Sequence, residues 1–465
     1  MPPPTTPRDV SAETPFAARL AWHLGDLMRL AWPVMLSRAG ILVMAFADIA
    51  MLGRYAPGAV GIANLGLAVF IPMLVMAIGL CTGLVAVVAR AHGAGDMREA
   101  GHAWCRAMVW GGVISLLAAW VVWHSETILS AFGQEPRLAA EGGAVARALA
   151  PGLCAQVVFA ISAFYLEGTR RPHFALGVMV GANLINAFLN WVLIWGHLGM
   201  PELGPVGAAW ASTAARVAAA GAMVGFILLQ RHAHARGVRG PWDTVWGPGG
   251  WRAGATMRKL GLSAGIGNGL ETMGFAAMTF LAGQISLAAL DAYSISHNLV
   301  SMLFMVGLGL SIATGVRVGH EVGRGRLAEA AFAGWAGFGA TVAVMGTLGL
   351  AVWFWRHEIA PVYTDDPALQ ARAAGLFVFS ALVFVPDACQ VVLGQAVRAL
   401  GDAWVAIAVY GLAFVVVLMP LGWAMVEIFG TDERGLVQAI ILSCLVATVL
   451  LAARFRALTR GWRRT

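Results

Sequence analysis

The sequence predicts an all-α integral membrane protein, with twelve transmembrane helices in two six-helix lobes related by a parallel pseudo-two-fold repeat. Three observations predict it. Of 465 residues, 59% are hydrophobic and only 12% charged, about half the charged share of a soluble domain. Apolar windows long enough to cross a bilayer recur twelve times, at 28–53, 62–87, 103–123, 143–164, 173–197, 206–229, 260–283, 293–316, 331–355, 371–396, 403–426 and 435–455. Finally, the first half of the chain is echoed in the second.

In chain order, residues 1–27 open with Met1-Pro-Pro-Pro-Thr-Thr-Pro and lack the short apolar run and small-residue cleavage site of a secretory leader. They are expected to form a disordered cytoplasmic tail. Residues 28–229 make the first lobe, 230–259 a basic, Gly/Pro-bearing inter-lobe loop, 260–456 the second lobe, and 457–465 a basic tail. With the N-terminus in the cytoplasm, 23 of the 31 basic residues fall on inside segments, six lie at the outer edges, and Arg38 and Arg216 sit within helices. The positive-inside rule then puts both termini in the cytoplasm. The net charge of +7 follows mostly from this bias and requires no nucleic-acid partner.

The repeat is specific in register. Residues 88–100 match 318–330 at a shift of 230, and the same shift lays Arg29-Leu30 on Lys259-Leu260 and Gly53 on Gly283. Gln156-Val-Val and Gln390-Val-Val match at a shift of 234, with Pro151 and Pro386 just ahead of them. A period of six helices is even, so both halves face the same way. Such parallel repeats have an axis along the membrane normal, and a cavity between the lobes is expected.

Ionisable groups inside a membrane helix are costly and mark functional sites. Asp48 lies 19 residues past Arg29, about 28 Å along a helix and so in the outer third of the membrane. Snorkelling to the interface or pairing with Arg54 is the structural alternative. Asn186 and Asn190, one turn apart, and Thr213 fall at the same depth, and could switch hydrogen bonds with Asp48 on protonation or simply join helices. In the second lobe, Glu271 and Asp387 each lie roughly 16 Å from the inner face and could share one site. Two such carboxylates hold a proton between them or a cation. Asn268, Thr272 and Asn298 could add neutral oxygens for a hard cation such as sodium, and Pro386, as a helix kink, frees a carbonyl beside Asp387. A hydrogen-bonded structural pair is the alternative.

Other chemistries find no support. The five cysteines and eleven histidines show no metal or disulfide spacing, no Walker loop is present, and Gly265-Ile-Gly267 reads as a helix-packing surface rather than a nucleotide loop. No enzymatic activity and no resident cofactor are expected, only a coupling ion, Na⁺ or H⁺. Arg38 has no assigned role.

Together, Pro33 with Phe46-Ala-Asp48, Gly93-Ala-Gly95 and its echo Val318-Gly-His320, Asn186-Ala-Phe-Leu-Asn190-Trp, Pro201-Glu-Leu-Gly-Pro-Val-Gly207, Glu271 and Pro386-Asp-Ala-Cys-Gln-Val-Val392 resemble the multidrug and toxic compound extrusion (MATE) transporters, and within them the NorM-type branch. Two positions depart from the branch: Ser294 stands where a Gln is common, and Val383 where some relatives have Tyr. The resemblance implies an antiporter of the bacterial inner membrane. It would export small organic, cationic and amphipathic substrates in exchange for Na⁺ or H⁺ by alternating access, as a monomer in the lipid bilayer. It also implies a second-lobe cation site at Glu271, Asp387 and Asn298, and first-lobe coupling at Asp48, Asn186, Asn190 and Thr213. A lipid-linked-precursor flippase and an ion channel are the alternative functions.

Overall fold

The computed structural model describes residues 16–230, 233, 235–238 and 248–460. Twelve long helices follow one another: α1 (Phe16–Tyr55), α2 (Ala59–Gly93, with a turn at Thr82), α3 (Met97–Trp123), α4 (Pro136–Gly168), α5 (His173–Trp195), α6 (Gly204–Leu229), α7 (Ala255–Ile285), α8 (Leu287–Gly323), α9 (Leu327–Phe354), α10 (Pro367–Ala399), α11 (Trp404–Glu427) and α12 (Glu433–Thr459). Eleven are long and apolar enough to cross a bilayer. The remaining one, α7, has 31 residues and is also long enough, but Arg258, Lys259 and Glu271 reduce its apolar character. No strand occurs among the described residues.

Three expected boundaries shift. Residues 16–27 are helical rather than a disordered tail, because the first turns of α1 are tied to α9: Arg19 and His23 both reach Glu329, at 2.8 and 3.1 Å. The expected inter-lobe loop is shortened by a helical turn at Pro248–Ala253 and by α7 starting at Ala255. At the C-terminal end, α12 runs on to Thr459, into the expected tail. Tail residues 1–15 and 461–465, and loop residues 231, 232, 234 and 239–247, lie outside the described residues.

The helix ends are written locally. Asp96 caps α3 by accepting from the Glu99 N–H at 2.8 Å, Ser286 caps α8, and Asp366 caps α10 just ahead of Pro367. Each satisfies an orphan N–H of the first turn. In α11 the helix widens to a π segment over Gly411–Leu418, just ahead of Pro420, which has no N–H to continue the α ladder.

Each lobe is built around one helix. In α4 and α10, 78% and 72% of the apolar window is buried, against 22–56% in the other nine spans. Both have 33 residues, begin with Pro at the first helical turn and carry an interior Pro, Pro151 or Pro386.

The lobes meet mainly through α1 and α2 of the first and α7, α8 and α9 of the second, with α4 and α10 also reaching across, and the contacts obey the repeat. Gly79 packs against Gly265, and the positions 230 residues on and back, Gly309 and Met35, pack against each other. A Cβ at Gly93 would overlap the carbonyl oxygen of His320, and a Cβ at Gly323 that of Arg90. These are again the same pair under the 230-residue shift, so the pseudo-two-fold axis passes between them. Small residues are required there because, in a membrane, packing and not hydrophobicity joins helices.

Candidate functional site

In the first lobe, Asp48 of α1 faces three donors from two other helices. Asn186 and Asn190 of α5 donate through Nδ2 to Oδ1 at 3.0 and 2.6 Å. Ser212 of α6 donates to Oδ2 at 2.6 Å and accepts from Asn186 Nδ2 at 3.2 Å. Both asparagines are fully buried. Arg216, one turn beyond Ser212, lies over the Phe70 ring at 5.0 Å and supplies the positive charge facing Asp48. As arranged, the set presents donors to Asp48, which suits an ionised carboxylate, an acceptor-only group. Once protonated, Asp48 would become a donor, and the Oδ1 of Asn190 is buried with no partner among the described residues.

Thr213, expected here, is elsewhere: its hydroxyl donates to the Ala148 carbonyl of α4 at 2.7 Å. Successive helical residues point about 100° apart, so α6 turns Ser212 toward Asp48 and Thr213 toward α4.

In the second lobe, Glu271 of α7 and Asp387 of α10 come together as expected, both buried. Gln390 bridges them, donating through Nε2 to Glu271 Oε1 at 2.9 Å and to Asp387 Oδ1 at 3.5 Å. The Cys444 thiol of α12 donates to Asp387 Oδ1 at 3.8 Å. Pro386 lies within α10, and its carbonyl oxygen accepts from Thr448 at 2.9 Å.

The other expected oxygens are not brought to this pair. Asn298 is exposed and accepts from the Tyr363 hydroxyl at 3.4 Å. On α8 it is Ser296, two positions away and on the opposite side, that faces α10, through Ser380 at 2.6 Å. Asn268 faces Gly79 of α2 across the lobe interface, and Thr272 is exposed. Gln390 was visible in the sequence as half of the Gln-Val-Val repeat, one helical turn from Asp387. Its role could have been read from that spacing.

Arg38 pairs with Glu167 of α4 at 3.1 Å, both buried. At the end of the bundle bearing the termini, the lobes are tied reciprocally. Arg90 donates through Nε to the carbonyl oxygen of Ala399, the last residue of α10, at 2.9 Å. His320 Nε2 donates to that of Gly168, the last residue of α4, at 2.7 Å. Arg317 of α8 pairs with Asp26 of α1 at 3.3 Å and donates to the backbone of His23. Among the described residues, the hydrogen bonds and ion pairs between lobes all lie at this end.

The MatE family model matches twice, at residues 33–192 and 264–424, once in each lobe. The chain belongs to the MatE family. It is 34% identical to the probable multidrug resistance protein NorM of Caulobacter vibrioides, over 99% of this chain and 97% of that one. It is 30% identical to the multidrug resistance protein PmpM of Pseudomonas aeruginosa, over 96% and 93%. The crystal structure of the eukaryotic MATE transporter AtDTX14 superposes with a TM-score of 0.84 at 18% identity, over 96% and 99% of the two chains. The expected resemblance and the two-lobe, twelve-helix fold therefore hold.

Proposed function

We propose that this protein is a secondary-active antiporter of the bacterial inner membrane, its termini in the cytoplasm, exporting organic, cationic and amphipathic compounds in exchange for Na⁺ or H⁺ by alternating access. The observation that carries this reading is the Glu271–Gln390–Asp387 cluster. Two buried carboxylates bridged by a single amide hold a cation or a proton between them. The names of the multidrug-resistance relatives support the substrate class.

The coupling follows from differential affinity. A cation or proton entering the acid sites must favour one lobe arrangement and substrate the other, since tight binding to both would shift nothing. The inter-lobe ties at the termini end are consistent with a state open toward the opposite face. Asp48, with its shell of donors and the orphan Asn190 oxygen, is the second coupling group, where gain of a proton reverses one hydrogen bond. The flippase alternative called for a basic cavity, but Arg38 is paired with Glu167 and Arg216 lies within electrostatic reach of Asp48, so each intramembrane cation has an acid near it.

The test uses purified protein in liposomes, with efflux of a fluorescent cationic dye followed under a sodium gradient alone and a proton gradient alone. Transport under one gradient, lost in Glu271→Gln, is the expected result. Transport under neither gradient would overturn the antiporter reading and return the flippase to consideration.

A further inference from the structure

On the outer surface of the first lobe, between α5 and α6, a groove of about 400 Å³ is lined by Phe174, Ala222, Gly225, Phe226, Leu229 and Gln230. It begins at the termini end, where Gln230 ends α6, and runs eight residues up the helix to Ala222, about 12 Å. That is most of one leaflet's hydrocarbon depth. The stacked rings of Phe174 and Phe226, 3.7 Å between centroids, form its floor. Its small residues keep it open, as the position a Cβ would take at Gly225 has no neighbour within 4 Å.

The mouth of this groove is unbalanced in charge. Arg171, exposed in the turn between α4 and α5, and Arg236, in the loop after α6, both donate to the Gln230 Oε1, a neutral acceptor. Neither has a carboxylate partner among the described residues, whereas neighbouring Arg170 is paired with Asp26. Desolvation by the surrounding protein, although the side chain reaches solvent, and the Arg236 cation close by pull the Arg171 guanidinium below the usual arginine range. Two guanidiniums sharing one amide oxygen above an apolar slot present the complement of a phosphodiester carrying acyl chains. Basic pockets between membrane helices recognise anionic lipid headgroups in this way.

We propose that this groove is a binding site for an anionic phospholipid of the leaflet on the termini side, an acyl chain lying along Phe174 and Phe226 and the phosphate held between Arg171 and Arg236. The Gln230 amide orients both guanidiniums toward it. The occupant is set by the groove's continuity with the bilayer and by its charge.

Delipidated full-length protein in detergent, titrated separately with phosphatidylglycerol, phosphatidylethanolamine and inorganic phosphate and read by native mass spectrometry, tests this. One saturable phosphatidylglycerol adduct is expected, tighter than phosphatidylethanolamine. Arg171→Gln and Arg236→Gln should each weaken it about fivefold. Ala222→Trp, which fills the slot and leaves both arginines in place, should remove it. Equal binding of the two lipids, or phosphatidylglycerol binding unchanged in all three variants, would overturn the proposal. So would inorganic phosphate competing as well as the lipid, which would make the site one for a free anion.

Discussion

Arg90 and His320 hold the same place in the two repeats, 230 residues apart, and each donates across the lobe interface to the final carbonyl of the opposite lobe's central helix. Helix C-termini leave unsatisfied carbonyls, and a cation or an N–H donor there is favourable. In the proposed alternating-access cycle the lobes would part at this end and both carbonyls would lose their partners. The tie would then belong to one lobe arrangement only, as a contact that biases a two-state equilibrium must.

Removing it should open this end. In Arg90→Leu with His320→Leu, the ratio of molecules closed to molecules open at the termini end is expected to fall about tenfold or more, since a hydrogen bond from a charged donor contributes about 1.5–3 kcal/mol. Spin labels at Arg98, exposed, and Ala328, half-buried, equivalent positions one in each repeat, would report it as a longer inter-label distance by EPR. An unchanged distance distribution would reduce the pair to ordinary packing.

The first-lobe site separates two adjacent hydroxyls. Ser212→Ala removes a donor from Asp48 and should alter the pH profile of dye efflux, as should Asp48→Asn. Thr213→Val removes only the bond to Ala148 and should lower stability by about 0.5–1.5 kcal/mol while leaving that profile in place. Proton-driven efflux and thermal unfolding, measured on the same three variants, check this. A shifted profile in Thr213→Val alone would reverse the two assignments.

That pair of residues shows what was legible in the sequence. Counting residues along a helix gives depth, and depth correctly grouped Asp48 with Asn186 and Asn190, and Glu271 with Asp387. Depth does not give the direction in which a side chain points. One position on α6 exchanges Thr213 for Ser212, and two positions on α8 turn Asn298 away from α10 while Ser296 faces it. The repeat supplied the architecture because identity at a fixed shift needs no knowledge of direction. Arg38 could not be explained because its partner, Glu167, sits at the end of α4 next to Arg170 and Arg171, where an acid reads as a surface charge. Only the Arg38 side chain, reaching across from α1, makes it an internal counterion.

For the second lobe, Glu271→Gln and Asp387→Asn should each abolish gradient-driven efflux while the protein still inserts and remains monodisperse. Gln390→Leu removes the bridging amide and should reduce efflux at least about tenfold, in line with the loss of a hydrogen bond to a charged group. Asn298→Ala, distant in contact from the pair, should transport as wild type. Efflux assays in liposomes with equal protein incorporation test all four. Loss in Asn298→Ala with wild-type rates in Gln390→Leu would place the ion site toward Tyr363 instead.

The Arg38–Glu167 pair allows a cycle that separates structure from transport. Both groups are buried, and the Nε of Arg38 and Oε2 of Glu167 have no partner among the described residues. Removing one partner leaves an uncompensated charge, which costs about 3–5 kcal/mol, whereas replacing both with apolar residues of similar volume is often neutral. Arg38→Met and Glu167→Met should thus each lower the unfolding temperature in detergent strongly, and the double variant should recover most of the loss. Phe164, whose ring lies 5.2 Å from the Arg38 guanidinium, would pack against the methionine in its place. If the double variant is stable and still exports dye, the pair is a structural counterion bridge joining α1 to α4. If it is stable but transport is lost, Arg38 and Glu167 act in coupling, and the first lobe contains a buried charge pair that works with Asp48.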